Sequence, residues 1–147
     1  MIDICIVSYN YDQYIIPLLD SLENCQKYSN ISQRIFCIDN NSTDESRFVL
    51  DKWFDKHRGI EYYLKYLYEN KGYSYAVNFG ARQGLNPYIM ILNADMLVLD
   101  RMWKEKFLKV FDSNPAIGVV GCKLIDQFGN VVGAGTEGTF RERKFRA

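Results

Sequence analysis

Four short polar clusters each follow an apolar run: Ser8-Tyr9-Asn10, Asp39-Asn40-Asn41-Ser42, Glu69-Asn70-Lys71-Gly72 and Asn93-Ala94-Asp95. Carboxylates, amides and an ammonium are the groups that hold polar ligands and hard cations. Mg²⁺ and Mn²⁺ take oxygen ligands, often one or two carboxylates with phosphate oxygens and water completing the shell. Asn93 and Asp95 flank a small residue, so both side chains can enter one crevice. One Asp and one Asn make a weak site alone, and a diphosphate would complete it, so metal and nucleotide are expected to bind together. Asp39, two strands away, cannot share that ion. Its carboxylate can instead accept the imide N–H that uracil and thymine carry.

The runs that precede these clusters have the pattern of strands buried on both faces. Residues 4–7, 35–38, 88–92 and 117–120 are continuous and apolar, and a fifth, tyrosine-rich run covers 60–68. Helical periods lie between them. Ile15, Leu18, Leu19, Leu22 and Cys25 fall at i, i+3, i+4, i+7 and i+10, with Pro17 near the helix start. Ser42-Thr43-Asp44-Glu45 has capping-box spacing ahead of Phe48, Val49, Trp53 and Phe54, and Asp100 caps a helix carrying Trp103, Phe107, Leu108 and Phe111. Asp126-Gln127-Phe128-Gly129-Asn130 reads as a turn between two short strands. Alternating strand and helix predict an α/β fold, a three-layer α/β/α sandwich on a mostly parallel sheet. In such a sheet the ligand crevice lies at the carboxyl ends of the strands, where all four polar clusters fall.

The length of 147 residues predicts one domain over 1–147, able to bury a core without staples. Lys plus Arg and Asp plus Glu are 18 each, a balance that argues against a nucleic-acid partner. No run reaches the length of a membrane span, and the acidic start Met1-Ile2-Asp3 does not suit a signal peptide, so the expected location is cytoplasmic. The cysteines, Cys5, Cys25, Cys37 and Cys122, form no CxxC pair, and with His57 as the only histidine their spacing argues against a zinc site. Cys5 and Cys37 sit in apolar runs as reduced, buried residues. His57 falls at a helix end, where it faces the helix dipole.

No glycine precedes Gly59, so neither a dinucleotide fingerprint nor a P-loop can follow the first strand. Residues 133–138 match GxGxxG by letter, but too few residues follow for the helix and strand that this motif needs, and a glycine-rich loop is expected. Arg141, Arg143, Lys144 and Arg146 make the last stretch basic, consistent with association at the inner membrane face near an anionic acceptor.

Taken in order, Val7-Ser8-Tyr9-Asn10, the run Asp39 to Asp44, Asn70-Lys71-Gly72 with Ala76, Asn78 and Gly80 downstream, and Leu92-Asn93-Ala94-Asp95 resemble the family 2 glycosyltransferases. The likeness covers residues 4 to about 135 and implies the GT-A fold. It also implies an enzyme that moves a sugar from a UDP- or dTDP-sugar to an acceptor hydroxyl on a glycan or lipid-linked acceptor, inverting the anomeric centre, in polysaccharide or cell-surface glycan synthesis. Carried over by position, Ser8, Tyr9, Asn10, Asp39, Asn41, Asn70, Lys71, Gly72 and Asn93 contact the nucleotide. Asp95 holds Mg²⁺ or Mn²⁺. Asn93 departs from the more usual Asp, a change that the rhamnosyltransferase-like branch tolerates. The family's general base lies further downstream, so the chain is expected to be the donor-binding part, cut short on its acceptor side. The alternative is a non-catalytic nucleotide-sugar-binding module. A nucleotidyltransferase shares the architecture but announces itself by a glycine-rich loop after the first strand, which is absent.

Overall fold

The computed structural model describes residues 1–134. The basic stretch and all but the start of the 133–138 loop lie outside the described residues. The chain divides into two compact units, Met1–Lys106 and Phe107–Ala147.

The first unit is built on a four-stranded parallel sheet of β1 (Ile2–Ser8), β2 (Gln33–Asp39), β3 (Glu61–Tyr66) and β4 (Ile89–Asn93) in the order β3-β2-β1-β4. Parallel neighbours need crossovers, and α1 (Asp12–Gln26), α2 (Ser46–Lys56) and α3 (Tyr73–Ala81) supply them. β1 and β2 are buried along almost their whole length, as their unbroken apolar runs require. The predicted stripe on α1 is the buried one: Ile15, Leu18, Leu19, Leu22 and Cys25 are all shielded. Each such leucine contributes about 1.5 to 3 kcal/mol. Pro17 sits inside α1 rather than at its start.

The two sheet faces are covered by different helices. α3 lies over the pleat positions of Cys5, Val7 and Ile38, with Ala76 in the same cluster. Gly80 makes that approach possible, since a Cβ there would stand 2.6 Å from Cys5 Sγ and 2.9 Å from Ile38 Cγ1. α2 covers the alternate positions, stacking Phe54 on Tyr62 at 4.1 Å between ring centroids. After β3 the chain crosses to the far side of β1, so the strand order reverses there. The carboxyl end of β1 is therefore the topological switch point, where open α/β sheets gather their ligands. Asp3, buried within β1, accepts the Asn86 backbone N–H (2.9 Å) and side-chain amide (2.6 Å), which fixes the loop that launches β4.

Three further sequence expectations are corrected. β4 is not buried on both faces: it is the sheet edge in this unit, and Ile89 and Ile91 are 42% and 51% exposed. The run 117–120 forms no strand among the described residues, because no neighbour supplies a ladder. Ser42 does not cap α2, which begins four residues later. Glu45 stands at the N-cap without a side-chain cap bond, and Asp44 ties the helix start, its Oδ1 accepting the Ser46 N–H at 3.0 Å.

The second unit holds most of α4 (Trp103–Ser113) and the antiparallel hairpin of β5 (Leu124–Ile125) and β6 (Val131–Gly133). The expected turn joins them. Asp126 Oδ1 accepts the N–H groups of Phe128 and Asn130, each at 2.9 Å, and Gly129 takes a positive φ of 86°. These bonds, first that from the Asn130 side chain, hold the Asp126 carboxyl below its ordinary value.

Candidate functional site

Three of the four polar clusters are laced into one network. Past β1, Asn10 adopts a positive φ of 58°, and past β2, Asn41 adopts 70°, conformations that asparagine tolerates better than most residues. The two loops grip each other there. Asn10 N–H donates to Ser42 Oγ (2.9 Å), Thr43 N–H to Asn10 Oδ1 (2.8 Å) and Tyr11 N–H to Ser46 Oγ (3.0 Å). Asp12 N–H reaches Asp44 Oδ2 at 3.2 Å. Partial burial pulls the Asp44 carboxyl up, but the hydrogen bonds from Ser46 and Asp12 outweigh it and hold the group below its ordinary value.

The third cluster joins through Asn40. Its Nδ2 donates to Asn70 Oδ1 (2.8 Å) while its Oδ1 accepts the Lys71 N–H (3.1 Å), and Asn70 Oδ1 also takes the Gly72 N–H (2.9 Å). Gly72 stands at φ 83°, ψ 160°, a region essentially reserved for glycine, and α3 starts directly after it. Lys71 is exposed and paired with Glu69 at 2.9 Å, whose hydrogen bond raises the ammonium's pKa.

Asp39 lies at the centre of this network, fully buried at the end of β2. Its Oδ1 is satisfied by Ser42 N–H (3.0 Å) and Arg47 Nε (3.0 Å). Its Oδ2 is buried and has no partner. The same is true of Ser8 Oγ, and Ser8 is the residue in register with Asp39 on the adjoining strand. Two residues in register at the ends of β1 and β2 therefore each carry an unpaired buried polar atom. Leaving one buried acceptor unmet costs about 1 to 3 kcal/mol.

Arg47 is the residue that sequence reasoning missed. Besides Asp39 it donates to Asn41 Oδ1 (3.2 Å) and the Leu67 carbonyl (3.0 Å), and its guanidinium lies over Tyr66 at 5.3 Å. No motif marks it, because its role depends on how the first turn of α2 faces β2. Its grip, with that of Ser42, is on Asp39 Oδ1 alone and leaves Oδ2 without a bond.

The fourth cluster is built differently. Asn93, on the α3 face, accepts the Tyr73 hydroxyl at 2.7 Å, and Ala94 is buried beneath it. Burial first, then nearby Cys5 and Asp95, raises the Tyr73 phenol. Asp95 itself is exposed. Among the described residues it belongs to no group of three metal-ligating side chains. One free carboxylate on a hard-oxygen edge fits Mg²⁺ or Mn²⁺ only as part of a shell finished by the ligand. Asp39 is two strands from Asp95, as the sequence reading requires. Tyr9 stands exposed beside Asn10.

The family profile described as "Glycosyl transferase family 2" matches residues 3–145. The chain belongs to this family. A curated relative, the O-antigen biosynthesis protein RfbC of Myxococcus xanthus, is 30% identical over 120 residues, which is 80% of this chain and 9% of RfbC. Among solved structures, the mannosyltransferase PcManGT of Pyrobaculum calidifontis, in complex with GDP-Man and Mn²⁺, aligns with a TM-score of 0.71 at 21% identity, covering 80% of this chain and 33% of that one. TarS 1–349 of S. aureus in complex with UDP-GlcNAc aligns with a TM-score of 0.63 at 18% identity, covering 76% and 31%. These likenesses show the GT-A fold. The chain spans about a third of these solved relatives' length and a small part of RfbC. No helix among the described residues is long and apolar enough to cross a membrane.

Proposed function

We propose that the crevice at the carboxyl ends of β1, β2 and β4 binds a UDP- or dTDP-sugar, and that the chain is the donor-binding part of an inverting glycosyltransferase. The observation that carries this is the buried, unpartnered Oδ2 of Asp39. An acceptor preset in this way matches the imide N–H of uracil or thymine. Cytosine lacks that proton and would place acceptor against acceptor. PcManGT's guanine nucleotide also carries an N–H donor on its ring, so a related carboxylate is compatible with both relatives' ligands.

Ser8, Tyr9, Asn10 and Asn41 frame the base in this reading, with Asn70, Lys71 and Gly72 near base and phosphate. Lys71 would exchange Glu69 for a phosphate oxygen. Asn93 and Asp95 face the diphosphate, and Asp95 would hold Mg²⁺ or Mn²⁺. When bound, that ion supplies positive charge for the β-phosphate as the nucleoside diphosphate departs. The acceptor would be a glycan or lipid-linked hydroxyl at the inner membrane face, in cell-surface polysaccharide synthesis, a role supported by the name of RfbC. We assign no general base within the chain.

The test is base selectivity. Wild type is expected to bind UDP or dTDP about 10- to 100-fold more tightly than CDP, since an unmet acceptor costs about 1 to 3 kcal/mol. Asp39→Asn keeps the shape, yet its amide can rotate to offer a donor or an acceptor, so most of the preference should vanish. Unchanged discrimination in a folded Asp39→Asn variant would make Asp39 a turn residue and sink the assignment.

A further inference from the structure

A second cluster lies at the opposite, amino-terminal edge of the sheet, a strand length or roughly 20 Å from Asp39. Asp20 and Glu23 are one turn apart on α1, and His57 closes the end of α2. One ligand atom from each lies within 4.8 Å of the others. Spacing along the chain hides this group, which is why the sequence argued against zinc: the donors are one imidazole and two carboxylates brought together by α1 packing on α2, with no cysteine involved.

Each donor is already oriented. His57 Nδ1 lies 2.6 Å from the Trp53 carbonyl, which can only accept, so Nδ1 carries the hydrogen. Nε2 then points toward Glu23 Oε2 at 3.6 Å. Two lone pairs facing each other repel unless a proton or a cation sits between them. Metal-bound histidines typically donate their other ring N–H to a backbone carbonyl or carboxylate in this way. Asp20 is fixed too: its Oδ1 accepts the Trp53 indole N–H at 2.7 Å, leaving Oδ2 to ligate. The Trp53 ring stacks on His57 at 4.1 Å.

An independent feature points to a ligand at this place. Glu23 and His57 line a cavity of about 660 Å³. Gln33, 6% exposed, lines the same cavity, and its Oε1 is buried with no partner although its Nε2 donates to the Leu22 carbonyl. An unmet acceptor in the cavity that Glu23 and His57 line suits a water or small group carried on a metal's open position.

We propose that Asp20, Glu23 and His57 form a transition-metal site of the Zn²⁺ class, separate from the donor crevice, that clamps α1 to α2. Imidazole with carboxylates is a donor set that Zn²⁺ accepts, and two carboxylates balance its charge. Ligand atoms in such a site stand roughly 3.3 Å apart given bond lengths of about 2.0 to 2.2 Å. A rotamer change in Glu23, with a small rotation of Asp20 that keeps its bond to Trp53, supplies the contraction.

The experiment strips the chain with chelator and titrates Zn²⁺ alone, without nucleotide, in a Cys122→Ser background that removes the exposed thiol. Trp53, bonded to Asp20 and stacked on His57, reports binding by its emission. A saturable change is expected, with Tm raised by roughly 5 to 10 °C when Zn²⁺ is about a hundredfold above its Kd. His57→Gln and Glu23→Gln should each weaken binding by at least tenfold while keeping the far-UV spectrum. Asp95→Asn should leave Zn²⁺ binding unchanged, which separates this site from the donor crevice whether or not the latter binds nucleotide. Absence of saturable binding up to about 1 mM, or binding that survives both His57→Gln and Glu23→Gln, overturns the proposal and leaves His57 and Glu23 as an ion pair.

Discussion

The ends of β2 and β4 carry the two carboxylates of the candidate site, and the chain holds them in opposite ways. Asp39 is buried, gripped through one oxygen by Arg47 and Ser42, and surrounded by loops that bond to one another. Asp95 is exposed beyond an edge strand, and the side chain of nearby Asn93 is tied through Tyr73 at the surface. The difference follows from position in the sheet. β2 is flanked on both sides and covered on both faces, so a charge at its end must be paired by the protein. β4 pairs with β1 alone among the described strands, so a charge at its end stays in water. The first end is held by the protein's own bonds, and under the proposed function the second would be completed by the ligand.

Arg47→Ala should have the largest effect on that contrast. It strips Asp39 Oδ1 of one partner and releases Asn41 and the Leu67 carbonyl. Because Arg47 is partly exposed, the expected loss is about 1 to 3 kcal/mol in a urea melt, with UDP affinity down at least tenfold. Asp95→Ala should leave the urea midpoint unchanged. Equal destabilisation by the two variants would erase the distinction.

Gly72→Ala should follow, since only glycine rests at its φ and ψ. A stability loss of about 1 kcal/mol is expected, with weakened UDP binding because the Asn40–Asn70 link shifts. An unperturbed melt would mean that the turn has another conformation available.

Tyr73→Phe probes the open end. Removing one exposed hydrogen bond should alter stability by no more than about 0.5 to 1 kcal/mol. The metal-dependent part of UDP binding should change and the metal-free part should not. Loss of binding in EDTA would place Tyr73 in the base-binding half instead.

The smallest effect concerns the thiols under the closed end. Burial pushes Cys5 from an ordinary 9.0 up to about 11, and Cys37 upward as well, with the Asp39 charge adding to burial there. Native thiols thus keep their protons longer than unfolded ones. Their contribution is constant below pH 9 and lost as pH rises from 9 toward 11. At pH 8 a thiol reagent should label exposed Cys122 fast and Cys5, Cys25 and Cys37 only on unfolding. Fast labelling of Cys37 would show that the β2 end opens.

Much of the closed end is legible in the sequence, because apolar runs of strand length place their polar successors at one edge. Ser8, Asp39 and Asn70 fall where the rule for parallel sheets puts them. Arg47 is illegible, since a surface arginine on a helix carries no periodic signal and gains its role from α2's orientation. α3 is also unannounced: its nine residues bury only Ala76 and Gly80, too narrow a stripe for a helical period to emerge. The β4 run reads as buried because periodicity registers apolar character and not the number of neighbours. Asp20, Glu23 and His57 escape for a further reason, since 34 residues separate Glu23 from His57 and only the packing of α1 on α2 closes that distance.

The proposed division between a closed end that binds the base and an open end that binds the metal is tested most directly by calorimetry of uridine and UDP, each in EDTA and in Mn²⁺. Uridine has the base without the diphosphate. Its affinity should be the same in both buffers, fall about tenfold or more in Asp39→Asn, and stay unchanged in Asp95→Asn. UDP should gain affinity from Mn²⁺ in wild type and in Asp39→Asn but not in Asp95→Asn. Uridine binding that needs Mn²⁺, or that Asp95→Asn weakens as much as Asp39→Asn does, would contradict the account.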